Sequence, residues 1–585
     1  MFKPRLISRF HSCHWFIAVI WTALSLATDT SSAAADPLPQ HELRKIALSD
    51  ESPLGGQNDI PLGQFVNAPS IDSNGNVAFA ATLGQGSFAS SVWTSSDGQL
   101  RLVARSGDQA PNTGAAFAHF SDIVISDSGI VGFGATLVGN SIDDSNGESM
   151  WLDRAGALSL VAQTGQKAPN PSADLRFSHF ETSFALSRDG QVTFFARTRD
   201  KEGGTAQSSG IWIAGSNGVS LAAGDGTSAI TGSPAVLFLP QSFEQPFAND
   251  PIISPSGQAI FRGFLAGPGV DETNLNGLWS YSESSGLQLL QRAGDAADQS
   301  RTFISFPSIP TINASGDTAF LAFMHSHDLD ETVNAGIEPH DHPSTGELAL
   351  SLWLRRASGE LISIFAIGDR APGIASDAHF VDTFDPILNA SSHVAFFAVV
   401  AGDGVGAANE VGLWSNGMST DGTLRLIARQ GDEAPGGGQG FVFGTFLEPS
   451  FNAAGQTAFM AAGYKLENDL VVDSAFGIWG QDRTGVLRLV AKVGEILEIG
   501  PGDAREIASL AFASKAGGED GKPRGLNDLG QLTFHATFTD GSSGIFVSDA
   551  LTAPEPCSGV VLLLAAICLG LQRRWKLVGN DRTGR

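Results

Sequence analysis

The residue types best suited to chemistry gather in one stretch. "HSHDLDETVNAGIEPHDHPSTGE" (325–347) holds His325, His327, His340 and His342 within 18 residues, beside Asp328, Asp330, Glu331 and Asp341. Two His-x-His pairs with adjacent carboxylates are the ligand types of zinc or a similar divalent transition metal. Gly336 and Pro339 permit the chain reversal that would bring the pairs together. The plainer reading, and the preferred one, is a solvated surface loop. Two further sets of carboxylates merit the same question. Asp108, Asp225, Asp295, Asp369 and Asp432 recur in "GD" loops, where they suit turn capping or, as a ring, a cation. "DDSNGE" (143–148) has the flavour of a calcium loop but lacks a full ligand set. The chain carries no G-x-S-x-G elbow, no H-E-x-x-H and no P-loop. No catalytic residue and no cofactor is assigned, and the expectation is a protein that is not an enzyme.

The elements that must position these residues are repeats. Eight segments share one pattern: "IDSNGNVAF" (71–79), "ISDSGIVGF" (125–133), "LSRDGQVTF" (186–194), "ISPSGQAIF" (253–261), "INASGDTAF" (312–320), "LNASSHVAF" (388–396), "FNAAGQTAF" (451–459) and "LNDLGQLTF" (526–534). The second position is always Asn, Asp or Ser. Three residues later stands Gly75, Gly129, Gly190, Gly257, Gly316, Gly455 or Gly530, with Ser392 as the exception. This is the chemistry of a type I turn in a β-hairpin: the first side chain caps the turn and the fourth position takes a left-handed backbone. Each turn is followed by a Trp segment, such as "GIW" (210–212), and then by an alternating run such as "LRLVAR" (100–105). Each unit therefore reads as four short strands.

Gly75 and Gly530 are 455 positions apart across seven intervals, a mean spacing of 65. Four strands per unit on this scale predict propeller blades. "LRKIAL" (43–48) is an "LRLVAR" strand placed before the first turn, and the last unit stops after "GIF" (544–546) without one. The offset predicts an all-β, closed eight-bladed β-propeller of four-stranded blades, with 43–48 completing the last blade and removing the open edge. Seven of the ten tryptophans fall at one repeat position, with Phe546 as the eighth, which marks them as inter-blade packing anchors rather than sugar platforms. His119, His179 and His379 precede a Phe in "AHF" or "SHF" and read as structural for the same reason.

Charge and the chain ends bound the setting. Formal net charge is −26 over 585 residues, and a strongly acidic body repels phosphate backbones, so nucleic acid is not an expected partner. Lys3, Arg5 and Arg9 precede an apolar run (15–27) and "SSAAAD" (31–36), the pattern of a signal peptide over 1–35. The propeller then spans 36–551. Residues 552–585 hold "APEPCSGVVLLLAAICLGLQRRWK" (553–576), read as a transmembrane helix followed by a basic cluster. All three cysteines, Cys13, Cys557 and Cys568, lie in these end segments, so the body needs no disulfide.

Pro554, Glu555 and Pro556, the apolar span, and Arg573 with Arg574 resemble, in that order, the PEP-CTERM sorting signal of bacteria that make exosortase. Cys557 departs from the small hydroxyl residue usual after the triplet, and "LVGNDRTGR" extends past the basic cluster. The repeats resemble the bacterial tandem Asn-x-x-Gly-x-x-Ala-Phe family, whose members carry varied C-terminal anchors; Asn313/Gly316/Ala319/Phe320 and Asn452/Gly455/Ala458/Phe459 match fully. These resemblances imply an exported protein of the cell envelope, outer surface or extracellular matrix, held through its C-terminus in the membrane at least until an exosortase-type enzyme acts. The expected role is a non-catalytic binding or scaffold module with extracellular polysaccharide as a partner; the alternative is a secreted propeller hydrolase or lyase acting on glycans.

Overall fold

The computed structural model describes residues 43–52, 61–84, 89–96, 98–169, 174–200, 207–239, 251–326, 348–374, 377–468 and 470–552. The signal segment, the sorting motif with its apolar span, and His327, His340 and His342 lie outside them.

Every regular element among the described residues is a β-strand, and the strands fall into eight antiparallel sheets. Blade 1 runs outward through Leu62–Ile71, Val77–Leu83, Ser90–Ser96 and Gln99–Arg105. The pattern repeats to blade 8, built from Asp503–Ala511, Leu532–Phe538 and Ser543–Ser548. Its fourth strand is Leu43–Leu48, which pairs antiparallel with Ser543–Ser548 in the register Leu43↔Ser548 to Leu48↔Gly544. The predicted closure is therefore present: the first strand of the chain completes the last sheet, and no blade is left with the edge that would otherwise open the ring.

Two details depart from four uniform strands. Blades 2 and 8 gain a short fifth strand, Gln109–Ala110 and Ile496–Gly500. In blades 4 to 7 the innermost strand is broken, as in Phe441–Phe446 and Ser450–Phe451 of blade 7.

The turns behave as their residue types dictate. All seven glycines named above have φ between +74° and +84°, and Ser392 has φ +62°. In blade 7 the Asn452 carboxamide oxygen accepts the Gln456 N–H at 2.9 Å, while the Gly455 N–H reaches the Asn452 carbonyl at 3.0 Å.

Blades join through eight apolar clusters, one per interface. Between blades 2 and 3, for example, Val124, Met150 and Leu152 meet Phe177, Phe194 and Trp212. The Phe177 ring stands edge-on to Trp212 with centroids 5.2 Å apart, a favoured aromatic geometry. All seven repeat tryptophans and Phe546 are at most 2% exposed. They are the packing anchors the periodicity predicts.

Candidate functional site

The centre of the ring is where loops of all eight blades converge, and it begins with the turns. Asn313, Asn389, Asn452 and Asn527 each do two things. Their carboxamide oxygens cap their own turns, and their Nδ2 groups donate to the first turn carbonyl of the next blade: Asn313 to Asn389 at 3.2 Å, Asn389 to Asn452 at 2.9 Å, Asn452 to Asn527 at 2.9 Å and Asn527 to Asp72 at 3.0 Å. Asp72 has no such donor. There the neighbouring Ser73 takes over, its N–H and hydroxyl both donating to Asp127 of blade 2. The serine capping blade 2, Ser126, reaches the Arg188 carbonyl at 3.2 Å.

Inside this ring lies a segment that repeat reasoning missed. The inner strand of blade 8 ends at Ala511, and Leu526, which bridges Leu532, resumes the pattern. The fourteen residues between, "FASKAGGEDGKPRG" (512–525), run round the inner wall of the propeller and meet the blades in descending order. Lys515 donates its N–H to Pro449 and Ala516 accepts the N–H of Phe451, both in blade 7. Gly517 lies against the Leu388 carbonyl of blade 6 so closely that a Cβ would collide with it. The Glu519 carboxylate accepts the Ala314 N–H of blade 5 at 2.7 Å. Asp520 accepts Ile253 N–H of blade 4, Gly521 that of Leu186 in blade 3, and Arg524 that of Ile71 in blade 1. Four of these N–H groups belong to the residue just before a turn, an inward-facing position that no sheet partner satisfies. The segment supplies the missing acceptors.

Its side chains form a polar network. Arg524, 5% exposed, donates through Nε to the Ile71 carbonyl at 3.1 Å and through Nη2 to Ser73 at 2.9 Å, and pairs with Asp127. Asp520, 4% exposed, accepts the N–H groups of Gly517 and Lys522, which hold the segment's own bend. Lys515 sits between Glu448 at 3.0 Å and Asp385 at 3.8 Å. Burial pushes the Glu519 carboxyl up to about 7 and raises those of Asp520 and Asp385 above the ordinary carboxylate range. Burial also lowers the nearby Arg262 guanidinium to about 10, while its Nη1 donates to the Phe306 carbonyl at 2.7 Å. Glu519 is thus a carboxyl with a near-neutral pKa, but it is 8% exposed and already bonded to the wall.

The other sequence candidates resolve as follows. His325 is the penultimate residue of the strand Thr318–Ser326, paired with Thr302 and Leu348; its three partners in the proposed set lie outside the described residues. Among the described residues no group of three or more His, Cys, Asp or Glu is placed to hold a metal ion. Two of the "GD" aspartates cap turns, Asp295 accepting the Arg292 N–H and Asp369 that of Ala366, each at 2.8 Å, while Asp225 accepts the Ser209 N–H at 2.7 Å and Asp108 pairs with the Arg105 side chain at 3.0 Å. In "DDSNGE", Asn146 accepts the Asp143 N–H and donates to the Ser141 carbonyl. Asn274 and Asn409 repeat that arrangement in blades 4 and 6, so the loop is a structural motif. His179 bonds through Nδ1 to Glu148 at 2.9 Å.

The fold and its filled centre define a closed eight-bladed β-propeller whose axis is occupied by its own chain. The chain belongs to a family of unknown function (DUF7453), which matches residues 71–560. No curated protein matches it. Similar solved structures include the Dos1 propeller, at 11% identity and TM-score 0.35, covering 86% of this chain and 95% of that one. The β-propeller domain of the Trilobed protease from Pyrococcus furiosus is 10% identical, TM-score 0.32, covering 73% and 97%. An oligogalacturonate lyase in complex with manganese is 10% identical, TM-score 0.31, covering 90% and 99%.

Proposed function

We propose that this propeller is a non-catalytic binding or scaffold module, exported and sorted to the cell envelope or the extracellular polysaccharide matrix. The observation that carries the reading is the course of residues 512–525. A propeller builds a concave site by converging loops on its axis, and ligand sites need concavity. Here that space is taken by a covalent part of the chain, hydrogen-bonded to the wall of five blades. Glu519, one of two carboxyls that burial raises to about 7 (Glu495 is the other), belongs to this segment, where it is buried and bonded to Ala314. A glycan hydrolase or lyase would have to expose it.

The surface location rests on the N-terminal apolar run and on Pro554, Glu555, Pro556, Arg573 and Arg574 flanking the apolar span. Among the described residues no helix is long and apolar enough to cross a membrane, and the proposed span lies beyond them. Replacing the Pro-Glu-Pro triplet with Ala in a host with exosortase should leave full-length protein in the membrane; unchanged mass and location would count against sorting. The binding role is tested by presenting the full-length protein with a panel of polysaccharides. Retention without product supports the module, product formation supports the glycan-active enzyme, and neither outcome would remove the polysaccharide from the proposal.

A further inference from the structure

One edge of blade 7 is open. Its second and third strands, Thr457–Glu467 and Leu470–Gln481, are joined by only two residues, and the first of these, Asn468, takes φ +52°, a turn conformation Asn adopts readily. Blade 2 joins the same two strands through the longer connection 139–147. The outer strand of blade 7, Leu487–Lys492, covers the third strand only from Gly477 to Gln481, and the Val493 N–H adds a bond to the Phe476 carbonyl. Beyond that point, residues 470–475 have no strand on this side among the described residues.

The uncovered edge begins with Leu470, Val471 and Val472, which are 69%, 61% and 50% exposed. Among the described residues no other three consecutive large apolar side chains are so exposed. Leu466 stands opposite Val471 and carries the apolar surface onto one face of the hairpin. An apolar strand with an unpaired edge is a template for strand addition.

Charge and the chain ends determine what covers it. Lys465 pairs with Glu467 at 2.8 Å and stands opposite Asp473, so both carboxylates are already faced by a cation and the triplet between them is uncharged. Such an edge suits an identical uncharged edge better than a basic partner. The hairpin closes on the face away from the Asn-x-x-Gly turns. The described chain ends lie on the turn face: Leu43 pairs with Ser548, and the Leu551 carbonyl accepts Gln456 Nε2 beside the blade 7 turn. The hairpin therefore points away from the surface in which the proposed C-terminal span would hold the protein.

We propose that the Leu470–Val472 edge joins two copies of this chain, hairpin to hairpin, in one antiparallel sheet. Antiparallel pairing of one edge with itself is two-fold symmetric and sets the triplet of one copy against the triplet of the other. It also keeps the two bodies, each of formal net charge −26, on opposite sides of the contact. The register shift that leaves Val472 without a partner inside the hairpin is a bulge, which confines the pairing to a short ladder. So small a contact is weak alone and gains strength when many copies face one another. The proposal rests on the scaffold reading and gives it a partner, a second copy on a facing surface.

Sedimentation of the full-length protein in detergent tests it. Self-association should appear in the high micromolar range and strengthen from about 0.01 to 1 M salt, as the screening length falls from roughly 30 to 3 Å. A Val471→Lys/Val472→Lys variant with an unchanged thermal midpoint should associate at least tenfold more weakly. In a chain carrying Cys13→Ser, Cys557→Ser and Cys568→Ser, Val471→Cys should form a disulfide between two copies on oxidation. A protein that stays monomeric at every salt concentration, or that associates equally well in the lysine variant, overturns the proposal. If it is monomeric and binds an alternating Lys–Val peptide, the edge belongs to a basic partner instead. If it is monomeric and Val471→Cys bonds to Cys557 or Cys568 where these are retained, the edge belongs to the tail. Polysaccharide retention and sorting are read separately, so their failure and the failure of this contact are distinguishable.

Discussion

The Asn527 carboxamide donates to the Asp72 carbonyl at 3.0 Å, joining residues 455 positions apart in the sequence. This bond closes the ring of turns at the same junction where Leu43–Leu48 closes the ring of sheets. The Asn-x-x-Gly repeat thus has two uses for its amide: the oxygen organises one blade and the nitrogen reaches the next. Asp and Ser serve the first use, which explains why they substitute in blades 1 to 4. They lack the amide donor.

Replacing Asn527 with Ala should therefore exceed the loss of an ordinary cap. The Asp72 carbonyl loses its cross-blade donor, and the N–H groups of Leu529 and Gln531 lose their acceptor. A destabilisation of about 2–3 kcal/mol is expected in denaturant unfolding. Ser187→Ala, which removes the 2.9 Å cap to the Gln191 N–H within its own turn, should lose clearly less. Equal losses would show that the cross-blade donor contributes nothing.

Ser392 is the one non-glycine at its turn position, and its hydroxyl accounts for it. It donates to Asp317 at 2.6 Å and accepts from Asn313 at 2.9 Å, both on blade 5. Ser392→Gly relieves about 1 kcal/mol of left-handed strain but leaves these buried groups short of a partner, at about 1–3 kcal/mol. The expected net effect is a lower denaturation midpoint. A higher midpoint would mean that strain, not the bond, dominates.

Buried carboxyls set an unusual pH response. Glu519 and Glu495 have folded-state pKa values raised by burial to about 7, from an ordinary 4.5. The folded state holds their protons more tightly, so their contribution to stability is full below about pH 4.5 and is lost as pH rises to about 7. Glu519 alone carries on the order of 3 kcal/mol. His535, lowered by burial to about 4, works the other way and loses stability as pH falls from 6.5 to 4. Glu519→Gln removes a buried charge while retaining an acceptor for Ala314. It should raise the melting temperature at pH 8 and leave it little changed at pH 5. No gain at pH 8 would contradict the buried-charge assignment.

Deleting residues 36–50 removes the strand that covers Ser543–Ser548 and the Ser49 hydroxyl that accepts the Ser543 N–H at 2.9 Å. The exposed edge should lower the melting temperature of the whole ring and drive edge-to-edge association. A monomeric deletion protein with unchanged melting would argue that the ring closes without it.

What was legible in the sequence is what recurs. The turn glycines and the Trp anchors each occur in seven of the eight units, and the displaced first strand shows as a countable offset, so periodicity separates them from chance. The donor role of Asn527 was hidden because a cap needs only its oxygen, and the acceptor belongs to a distant residue. The crossing segment was hidden because it occurs once. Its signal was spacing: Gly494 and Gly530 are 36 positions apart, while the corresponding Gly294 and Gly316 are 22 apart. Surplus chain in one unit shows that something is inserted, but composition alone could not tell that "SKAGGEDGKPRG" turns inward. Rich in Gly and charge, it reads as a solvated loop, and only the unpaired inner N–H groups of Ile71, Leu186, Ile253 and Phe451 show why it is held.

Hydrogen exchange at Lys515 and Gly525 tests the occupied axis most directly. Their amides donate to the Pro449 and Ala513 carbonyls at 2.9 and 2.8 Å inside the ring. With the segment seated as described, both amides exchange only on global unfolding, at rates matching Val394, whose amide donates to the buried Asn416 carboxamide at 2.8 Å. Exchange within seconds, as expected of the exposed turn at Ser284, would mean that the axis is open and that the case for a non-catalytic propeller loses its principal support.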